Sequence, residues 1–318
     1  MSFARLVLTA LLGPPFLVGA SLCALAALLA QLGRWSPTFD LFTHFAPFYL
    51  AAGLLSVLMG AALVGGLRVP VLVAGLACCL AAGLLIAPEY LRWAGPKAAP
   101  GAGPTFKVVQ FNAWEGAGGQ GRLLAWLGEV RPDVVVIEES NRRVLAAMVG
   151  AGWHAVAGRS SVMLFSRDAP LRTIVPTDTA SGPMELNGLV AASPLGPVTV
   201  LGIHAPWPTQ AALAREHADF LPILRSYPAA TTILAGDFNS TPWSFARRRD
   251  DRDFGLVRRT RALFTWPLAG RHRPPFPVLP IDHVYAGPAW ATVGVARGPR
   301  VGSDHYPVLV TLSPTAPR

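Results

Sequence analysis

The chain has 318 residues, of which 52% are hydrophobic and only 14% are charged, a balance that excludes an ordinary water-soluble protein. The charges are unevenly distributed, because residues 1–100 hold only five of the 27 Lys and Arg and two of the 18 Asp and Glu. Residues 101–318 carry the other 22 Lys and Arg and the other 16 Asp and Glu, and therefore have a net charge of +6. The sequence thus predicts two parts, one suited to lipid and one suited to water.

The first part contains three long apolar stretches, at about residues 6–32, 45–67 and 69–86. Each meets or nears the ~20 residues that a helix needs to cross a bilayer. Trp35, Tyr90 and Trp93 lie at stretch ends, where aromatic rings favour the membrane interface. We predict three transmembrane helices within residues 1–93. A cleaved signal peptide is the alternative for the first stretch, and buried core helices are the alternative for the other two.

Three spans place the two termini on opposite sides of the membrane. With the N-terminus inside, the cytoplasmic flanks hold Arg5 and Arg68, whereas Arg34, Arg92 and Lys97 lie on the other side. The positive-inside count therefore leans slightly toward the opposite orientation. All three cysteines lie in the apolar stretches, so the polar part has no disulfide and no thiol chemistry.

Residues 94–105 are rich in Pro, Gly and Ala, which predicts a linker. Beyond them, helical spacing occurs at 121–130, 141–150 and 209–227. Strand patterns occur at 106–112, 133–140, 161–166, 171–177, 184–193, 197–204, 230–237, 280–287 and 306–313. Closely spaced strands with helices between some of them favour an α/β (α+β) domain over 106–314, built as a sandwich of mixed sheets with outer helices.

Polar side chains recur where these predicted strands end. The residues at, or one or two positions past, a strand end are Asn112, Glu139, His204, Asp237 and Asn239. Asp304 lies just before the last strand, at its entry. If alternate strands run in opposite directions, entries and exits share one edge of the sandwich. Such an edge is where a rigid scaffold presents its chemistry.

Six short motifs contain these residues: "QFNAW", "IEES", "GIHAPWP", "GDFNSTPWS", "PIDHVY" and "GSDHYPV". In this order and approximate spacing they resemble the endonuclease/exonuclease/phosphatase superfamily over about residues 105–314. The sequence looks most similar to bacterial membrane-anchored members with a short catalytic domain. The resemblance implies a DNase I-like four-layer sandwich, a Mg²⁺ or Mn²⁺ cofactor, and a place in the bacterial inner membrane with the catalytic domain on the outer face.

The resemblance also implies roles for individual residues. The implied metal ligands are Glu139, Asn112 and Asp304. The implied catalytic residues are His204, Asp237, Asn239, Asp282 and His305. Asn239 and His204 would also contact the substrate, and Trp266 is either an active-site wall or part of the core. His283 has no implied role and is interpreted as structural.

The residue types suit phosphoester hydrolysis, which needs a hard cation, an activated water and help for the leaving oxygen. Asp237 and Asn239 are two residues apart, so in an extended strand their side chains share a face. Asp237 would orient the attacking water, and Asn239 would hold a phosphate oxygen without adding charge; a simple Asx-turn is the alternative. Glu138 and Glu139 are expected on opposite faces of their strand, with Glu139 toward the metal.

The predicted function is a membrane-anchored, metal-dependent phosphodiesterase acting on nucleic acid. The alternatives are a hydrolase of phospholipid headgroups or small phosphoesters, and a module that binds phosphate without turnover. A transporter is disfavoured, since the spans carry no ionisable residue near mid-membrane. The basic stretch 246–261 could follow a phosphate backbone or anionic lipid, although its interleaved acids favour a solvated helix and turn. The bilayer and a phosphoester substrate are the predicted partners, and no protein partner is evident.

Overall fold

The computed structural model describes the whole chain except residues 1–2, 100, 102, 117–118, 177–184, 210–211, 268–275 and 316–318, and within 211–216 it describes no side chains. The chain forms two compact units. The first, which we call the helical unit, consists of Met1–Arg92 together with Thr241–Arg249. The second, which we call the sandwich unit, consists of Trp93–Ser240 and Asp250–Arg318.

Among its described residues, the helical unit contains four α-helices before the sandwich begins: α1 (Phe3–Ala30), α2 (Pro37–Thr43), α3 (Ala46–Ala62) and α4 (Arg68–Leu91). With their adjoining turns, α1 and α4 form apolar rods of 32 and 27 residues, each long enough to cross a membrane. α2 and α3 are bent by 53° at a short break and make a third span only when taken together. The predicted second helix, 45–67, corresponds to α3, which ends at Ala62 and is too short to span a bilayer alone, whereas α2 before it was not predicted.

Small residues line the contacts between these helices, and large ones face outward. The buried positions include Ala27, Cys78 and Ala81, while Leu58 and Leu80 are more than two-thirds exposed. This distribution is the reverse of a water-soluble bundle, where leucines fill the core, and it is typical of helices that pack through small residues in lipid.

The sandwich unit contains twelve strands among its described residues: β1 (Phe106–Asn112), β2 (Val134–Glu138), β3 (His154–Ala157), β4 (Met163–Ser166), β5 (Arg172–Ile174), β6 (Leu186–Ser193), β7 (Gly196–His204), β8 (Ile233–Asp237), β9 (Val257–Arg258), β10 (Asp282–Ala286), β11 (Trp290–Arg297) and β12 (Val308–Pro314). They form two six-stranded sheets, in the orders β11-β12-β1-β2-β4-β3 and β5-β6-β7-β8-β10-β9. Each sheet has one parallel pair at its centre, β1 with β2 and β7 with β8, and its other pairs are antiparallel. Both are therefore mixed sheets, as predicted.

Three apolar clusters define the layers of the sandwich. The largest lies between the sheets and combines, for example, Val108 and Val136 of one sheet with Val200 and Ala235 of the other. The outer face of the first sheet is covered by α5 (Gln120–Val130) and α6 (Arg142–Gly150). The outer face of the second is covered by α7 (Ala212–Arg225), whose Phe220 is buried there. The predicted helix–sheet–sheet–helix order is confirmed.

Two segments singled out by their composition make specific contacts in the structure. Residues 96–98 of the Pro-, Gly- and Ala-rich segment hydrogen-bond with Thr292 of β11 through main-chain atoms. The expected solvated helix and turn over 246–261 was wrong, because Arg258 and Arg259 are buried. Arg258 pairs with Asp251 at 2.7 Å, and Arg259 donates to three main-chain oxygens, which leaves neither guanidinium as an exposed anion-binding group.

Candidate active site

The inner face of each central strand changes from apolar to polar at the same edge of the sandwich. Along β1 the inward residues Phe106 and Val108 lie in the inter-sheet core, and the period of two continues to Gln110 and Asn112. The same progression brings Glu138 on β2, His204 on β7 and Asp237 on β8 to the edge, and Asp282 lies there at the start of β10. The shared edge that the sequence predicted is thus formed by strands that end there and strands that begin there.

Asp237 lies at the centre of the cluster. Its Oδ2 accepts a hydrogen bond from Asn112 Nδ2 at 3.0 Å and lies 3.7 Å from His305 Nε2 and 4.0 Å from His204 Nε2. Burial raises the pKa of Asp237 to about 6, assisted by the nearby Asp282 carboxylate and opposed by the two histidines. Its pKa therefore lies near neutrality, as suits a group that exchanges a proton with water.

Asn239 follows Asp237 in a tight turn. The Asn239 main-chain N–H donates to Asp237 Oδ1 at 2.8 Å, which forms an Asx-turn. The two residues therefore form this turn and also lie in the same cluster. Asn239 adopts a left-handed backbone (φ +48°), a region that Asn tolerates better than most residues. Its carboxamide nitrogen lies 2.8 Å from the Ala205 carbonyl oxygen and 3.3 Å from His204 Nε2. The turn thus brings Asn239 beside His204 at the mouth of the site.

The two neighbouring acids Glu138 and Glu139 do not point to opposite faces, and that prediction was wrong. β2 ends at Glu138, and Glu139 takes a left-handed backbone (φ +47°) that breaks the strand alternation. Glu138 accepts from Gln110 at 2.8 Å and Glu139 accepts from Asn112 at 3.0 Å, so both reach the same face of β1. Glu138 is fully buried, and burial together with Asp282 raises the pKa of Glu138 well above its usual range. Glu139 is the partly exposed acid and the one that an ion from solvent could reach.

His305 is held between two carboxylates. Its Nδ1 lies 2.9 Å from Asp282 Oδ2, and its Nε2 faces Asp237. Burial alone would lower the pKa of His305, but Asp282 and Asp237 outweigh it and raise the pKa to about 9. The two carboxylates therefore favour the imidazolium form of the ring, whose Nδ1–H donates to Asp282 while Nε2 lies 3.7 Å from Asp237. Gln110 donates to the second oxygen of Asp282 at 2.7 Å, which fixes the orientation of the carboxylate.

Trp266 and Asp304 meet beside this histidine. The indole N–H of Trp266 donates to Asp304 Oδ2 at 3.1 Å, and the Trp266 ring centroid lies 6.2 Å from that of His305. Trp207 packs edge-on against Trp266 at 5.7 Å and is itself 50% exposed. Trp266 therefore forms a wall of the cluster, with an exposed aromatic ring beyond it.

The oxygen donors of the cluster fit a hard divalent cation. Glu139 and Asp304 offer carboxylate oxygens, the ligand type that hard divalent cations prefer, whereas the Asn112 carboxamide oxygen accepts the Trp114 main-chain N–H at 2.9 Å. Geometry also groups one atom each of Asp237, Asp282 and His305 within 4.8 Å, the single such group among the described residues. Within that group Asp282 Oδ2 already contacts His305 Nδ1 at 2.9 Å.

All nine site residues predicted from the sequence lie in this cluster, whereas Gln110 and Ser303 were missed. Ser303 Oγ donates to the main-chain oxygen of Asn112 at 2.7 Å and accepts from the His305 main-chain N–H at 3.0 Å. The strand period could have found Gln110, which is two residues before Asn112 on the same face. His283, interpreted as structural, has both ring nitrogens within 3.1 Å of buried oxygens and lies in the core.

A two-sheet sandwich with an acidic and histidine cluster at its polar edge is the DNase I-like class of fold. The sequence profile of the Endonuclease/Exonuclease/phosphatase family matches residues 109–305. This match spans more than half of the chain, so the protein belongs to that family, and the resemblance drawn from the six motifs is confirmed. No curated protein matches the chain.

Solved structures share the sandwich at low sequence identity. The endonuclease/exonuclease/phosphatase from Beutenbergia cavernae DSM 12333 has 20% identity and a TM-score of 0.52, over 67% of this chain and 72% of that one. D. rerio TDP2 complexed with single strand DNA product has 14% identity and a TM-score of 0.55, over 66% and 99%. The 3'-5' exonuclease NExo from Neisseria meningitidis has 20% identity and a TM-score of 0.50, over 64% and 98%. At these identities the likeness establishes the fold alone.

Proposed function

We propose that the protein is a membrane-anchored, divalent-metal-dependent phosphodiesterase that acts on nucleic acid. The observation that carries the proposal is the convergence of Asn112, His204 and His305 on Asp237, with Glu139 within 3.0 Å of Asn112. A carboxylate with a pKa near neutrality, an imidazolium and a partly exposed acid supply the three needs of phosphoester hydrolysis in one place.

The chain's own residues divide the chemistry as follows. Asp237 orients the attacking water and takes its proton, because its Oδ2, which accepts from Asn112, also lies between Nε2 of His305 at 3.7 Å and Nε2 of His204 at 4.0 Å. Asn239 and His204 hold phosphate oxygens, and neither adds a negative charge that would repel the phosphate. His305, kept cationic by Asp282, stabilises the charge that develops on the phosphoryl group.

Glu139, Asn112 and Asp304 are the residues that would hold the cation. A bound Mg²⁺ or Mn²⁺ supplies a Lewis acid for a phosphoryl oxygen. The left-handed backbone at Glu139 supports this role, because backbone strain of this kind recurs at functional sites and here turns the carboxylate toward Asn112.

Two observations favour nucleic acid as the substrate. The net charge of +6 over 101–318 attracts a polyanion but suits anionic lipid equally. The exposed ring of Trp207 beside Trp266 offers a stacking surface next to the site, and every base has a face that stacks on such a ring. The similar structures include a 3'-5' exonuclease and a protein complexed with single strand DNA product.

A substrate panel tests this proposal. Full-length protein in detergent is assayed on supercoiled plasmid, linear and single-stranded DNA, phospholipid vesicles and an aryl phosphodiester, with Mg²⁺ or Mn²⁺ and with chelator. We expect metal-dependent cleavage of DNA that Asp237→Ala abolishes. Preferred release of a lipid headgroup would replace the nuclease with a lipid phosphoesterase. Binding of DNA without turnover on any substrate would replace it with a phosphate-binding module.

We also propose that α1, the α2–α3 pair and α4 span a membrane and that the catalytic part lies on its outer face. The outward leucines of these helices support the first statement. The distribution of the flanking arginines does not favour an outer location of the catalytic part. That location rests on the resemblance to the superfamily. A reporter fused after residue 318 that fluoresces only in the cytoplasm should stay dark, and a bright signal would reverse the assignment.

A further inference from the structure

The helical unit includes nine residues that lie far away in the sequence, Thr241–Arg249. This segment contains the first half of α8 (Phe245–Asp253) and follows the "GDFNS" motif directly. Its side chains are largely enclosed, with Thr241, Trp243 and Ser244 at most 1% exposed. The helices before the sandwich therefore form one compact unit with the segment that follows Asp237 and Asn239 in the sequence, and their role extends beyond anchoring.

Asp40, on α2, makes the central contact of this packing. Its two carboxylate oxygens accept the main-chain N–H groups of Phe245 at 2.8 Å and Ala246 at 2.9 Å. These are the first two N–H groups of α8, which have no partner within their own helix. Ser244 Oγ accepts the third, from Arg247, at 3.1 Å. Two of these three N–H groups are therefore capped by a residue that lies 205 and 206 positions away in the sequence. A carboxylate is well placed there because it also faces the positive end of the helix dipole.

His44 holds the beginning of the same segment. Its Nδ1 lies 2.9 Å from Thr241 Oγ1, and its main-chain oxygen accepts the indole N–H of Trp243 at 3.3 Å. Gly33 permits the close approach, because a Cβ there would lie 2.8 Å from both the Asp40 Cα and the Phe245 ring. Residues from three places in the helical unit therefore fix both ends of 241–246.

The chain connects this segment to the site within two residues. Ser240 alone separates Thr241 from Asn239, and each step between neighbouring Cα atoms is only about 3.8 Å. A shift of Thr241 is therefore passed to the turn that carries Asn239. Asp40 itself is 8% exposed, and a buried carboxylate that lost its N–H donors would be destabilised, so Asp40 favours the docked segment strongly.

We propose that Asp40 is a positioning residue for the active site, which acts by docking Thr241–Arg249 on the helical unit and thereby fixing the Asp237–Asn239 turn. The proposal rests on the phosphodiesterase function proposed above. It predicts that turnover depends on the folded apolar helices, and that a change on α2 alters kcat although no atom of α2 belongs to the proposed site.

The test uses full-length protein in detergent with the best substrate of the panel. Asp40→Ala should lower kcat by about 10- to 100-fold with little change in KM, since a displacement of about 1 Å at a catalytic group has that effect. Asp40→Asn keeps one acceptor oxygen, so its kcat should lie between those of the wild type and Asp40→Ala. The matched control is Gln31→Ala, which also removes two side-chain hydrogen bonds to main-chain oxygens inside the helical unit, at Ala81 and Ala27, and should keep kcat near wild type.

Two further readouts separate positioning from general destabilisation. Released residues 247–249 should be cut faster by trypsin in Asp40→Ala than in Gln31→Ala. Thr241→Val removes the hydroxyl that His44 contacts, and its effect on kcat should be less than additive with that of Asp40→Asn, since both release one segment. If Asp40→Ala fails to fold, Asp40→Asn and Thr241→Val decide the question.

Wild-type kcat in the Asp40 variants, or a loss equal to that of Gln31→Ala, would overturn the positioning role while leaving the phosphodiesterase intact. Absence of turnover in the wild-type protein would instead overturn the proposed function, and the positioning role with it. The two failures are therefore distinguishable in one set of assays.

Discussion

Nδ1 of His305 lies 2.9 Å from Oδ2 of Asp282, and both side chains are buried at the polar edge of the sandwich. Gln110 donates to the other oxygen of Asp282, so this carboxylate cannot rotate away. The pair fixes Nε2 as the ring nitrogen that faces Asp237. The arrangement holds the His305 imidazolium beside Asp237, the carboxylate that is proposed to activate water.

The charge of His305 gives a direct prediction. In metal-free protein treated with chelator, the His305 ring should titrate near pH 9. Asp282→Asn should lower this pKa, because one of the two carboxylates that raise it is lost. Since the folded-state pKa lies above the ordinary 6.5, the pair stabilises the fold in full below about pH 6.5 and loses this effect as pH rises through about 9. NMR of labelled histidine, assigned with His305→Gln, measures the titration. A value at or below 6.5 would contradict the account.

Removal of the central carboxylate should stop turnover and leave binding. Asp237→Asn keeps the shape of the side chain but cannot take a proton, so kcat should fall by about 10²- to 10⁴-fold, the usual contribution of a general base. Steady-state kinetics and DNA-binding titrations measure the two effects. Asp168→Asn, at an exposed acid in the same unit, is the control and should be unchanged. Comparable activity in the two variants would remove Asp237 from the mechanism.

Asn239 allows backbone and side-chain effects to be separated. Asn239→Gly suits the left-handed backbone, which offsets part of the hydrogen bond lost to the Ala205 carbonyl oxygen, so the unfolding midpoint should change little, yet kcat/KM should drop because the carboxamide is gone. Asn239→Asp should lower kcat/KM further, since a second carboxylate beside Asp237 repels the phosphate. Thermal melts and kinetics on the same samples check both statements. An Asn239→Gly variant with wild-type kinetics would restrict Asn239 to a turn role.

The two tryptophans should affect different kinetic constants. Trp207→Ala removes an exposed ring outside the cluster and should raise KM for single-stranded DNA but not for a small aryl phosphodiester. Trp266→Phe keeps a ring but removes the N–H that binds Asp304, so it should lower kcat on both substrates. Equal effects of Trp207→Ala on the two substrates would argue against base stacking.

Much of the sandwich follows from local pattern. Buried runs such as 106–112 and 230–237 become β1 and β8, and the polar residue that ends each one lies in the site. β3, β9 and β11 were missed because they are short or largely exposed edge strands with weak patterns. Edge strands of this kind are fixed by their neighbours and not by their own sequence.

The remaining differences come from contacts that are distant in sequence. The face reached by Glu139 depends on one left-handed residue, which strand alternation cannot reveal. The burial of Arg258 depends on Asp251 and on the surrounding core, so the charge run resembled a solvated surface. The capping of α8 by Asp40 spans more than 200 residues and leaves no local signal, except that an acid stands inside an apolar stretch.

The most direct test of the central claim is the metal dependence of turnover and its reliance on Glu139. Full-length protein is assayed on its best phosphodiester after chelation, after re-addition of Mg²⁺ or Mn²⁺, and as Glu139→Gln. The account predicts turnover that disappears with chelator, returns with the cation, and is reduced in Glu139→Gln to a level that excess cation does not restore. Turnover that persists under chelation, or that survives the loss of the Glu139 carboxylate, would contradict it.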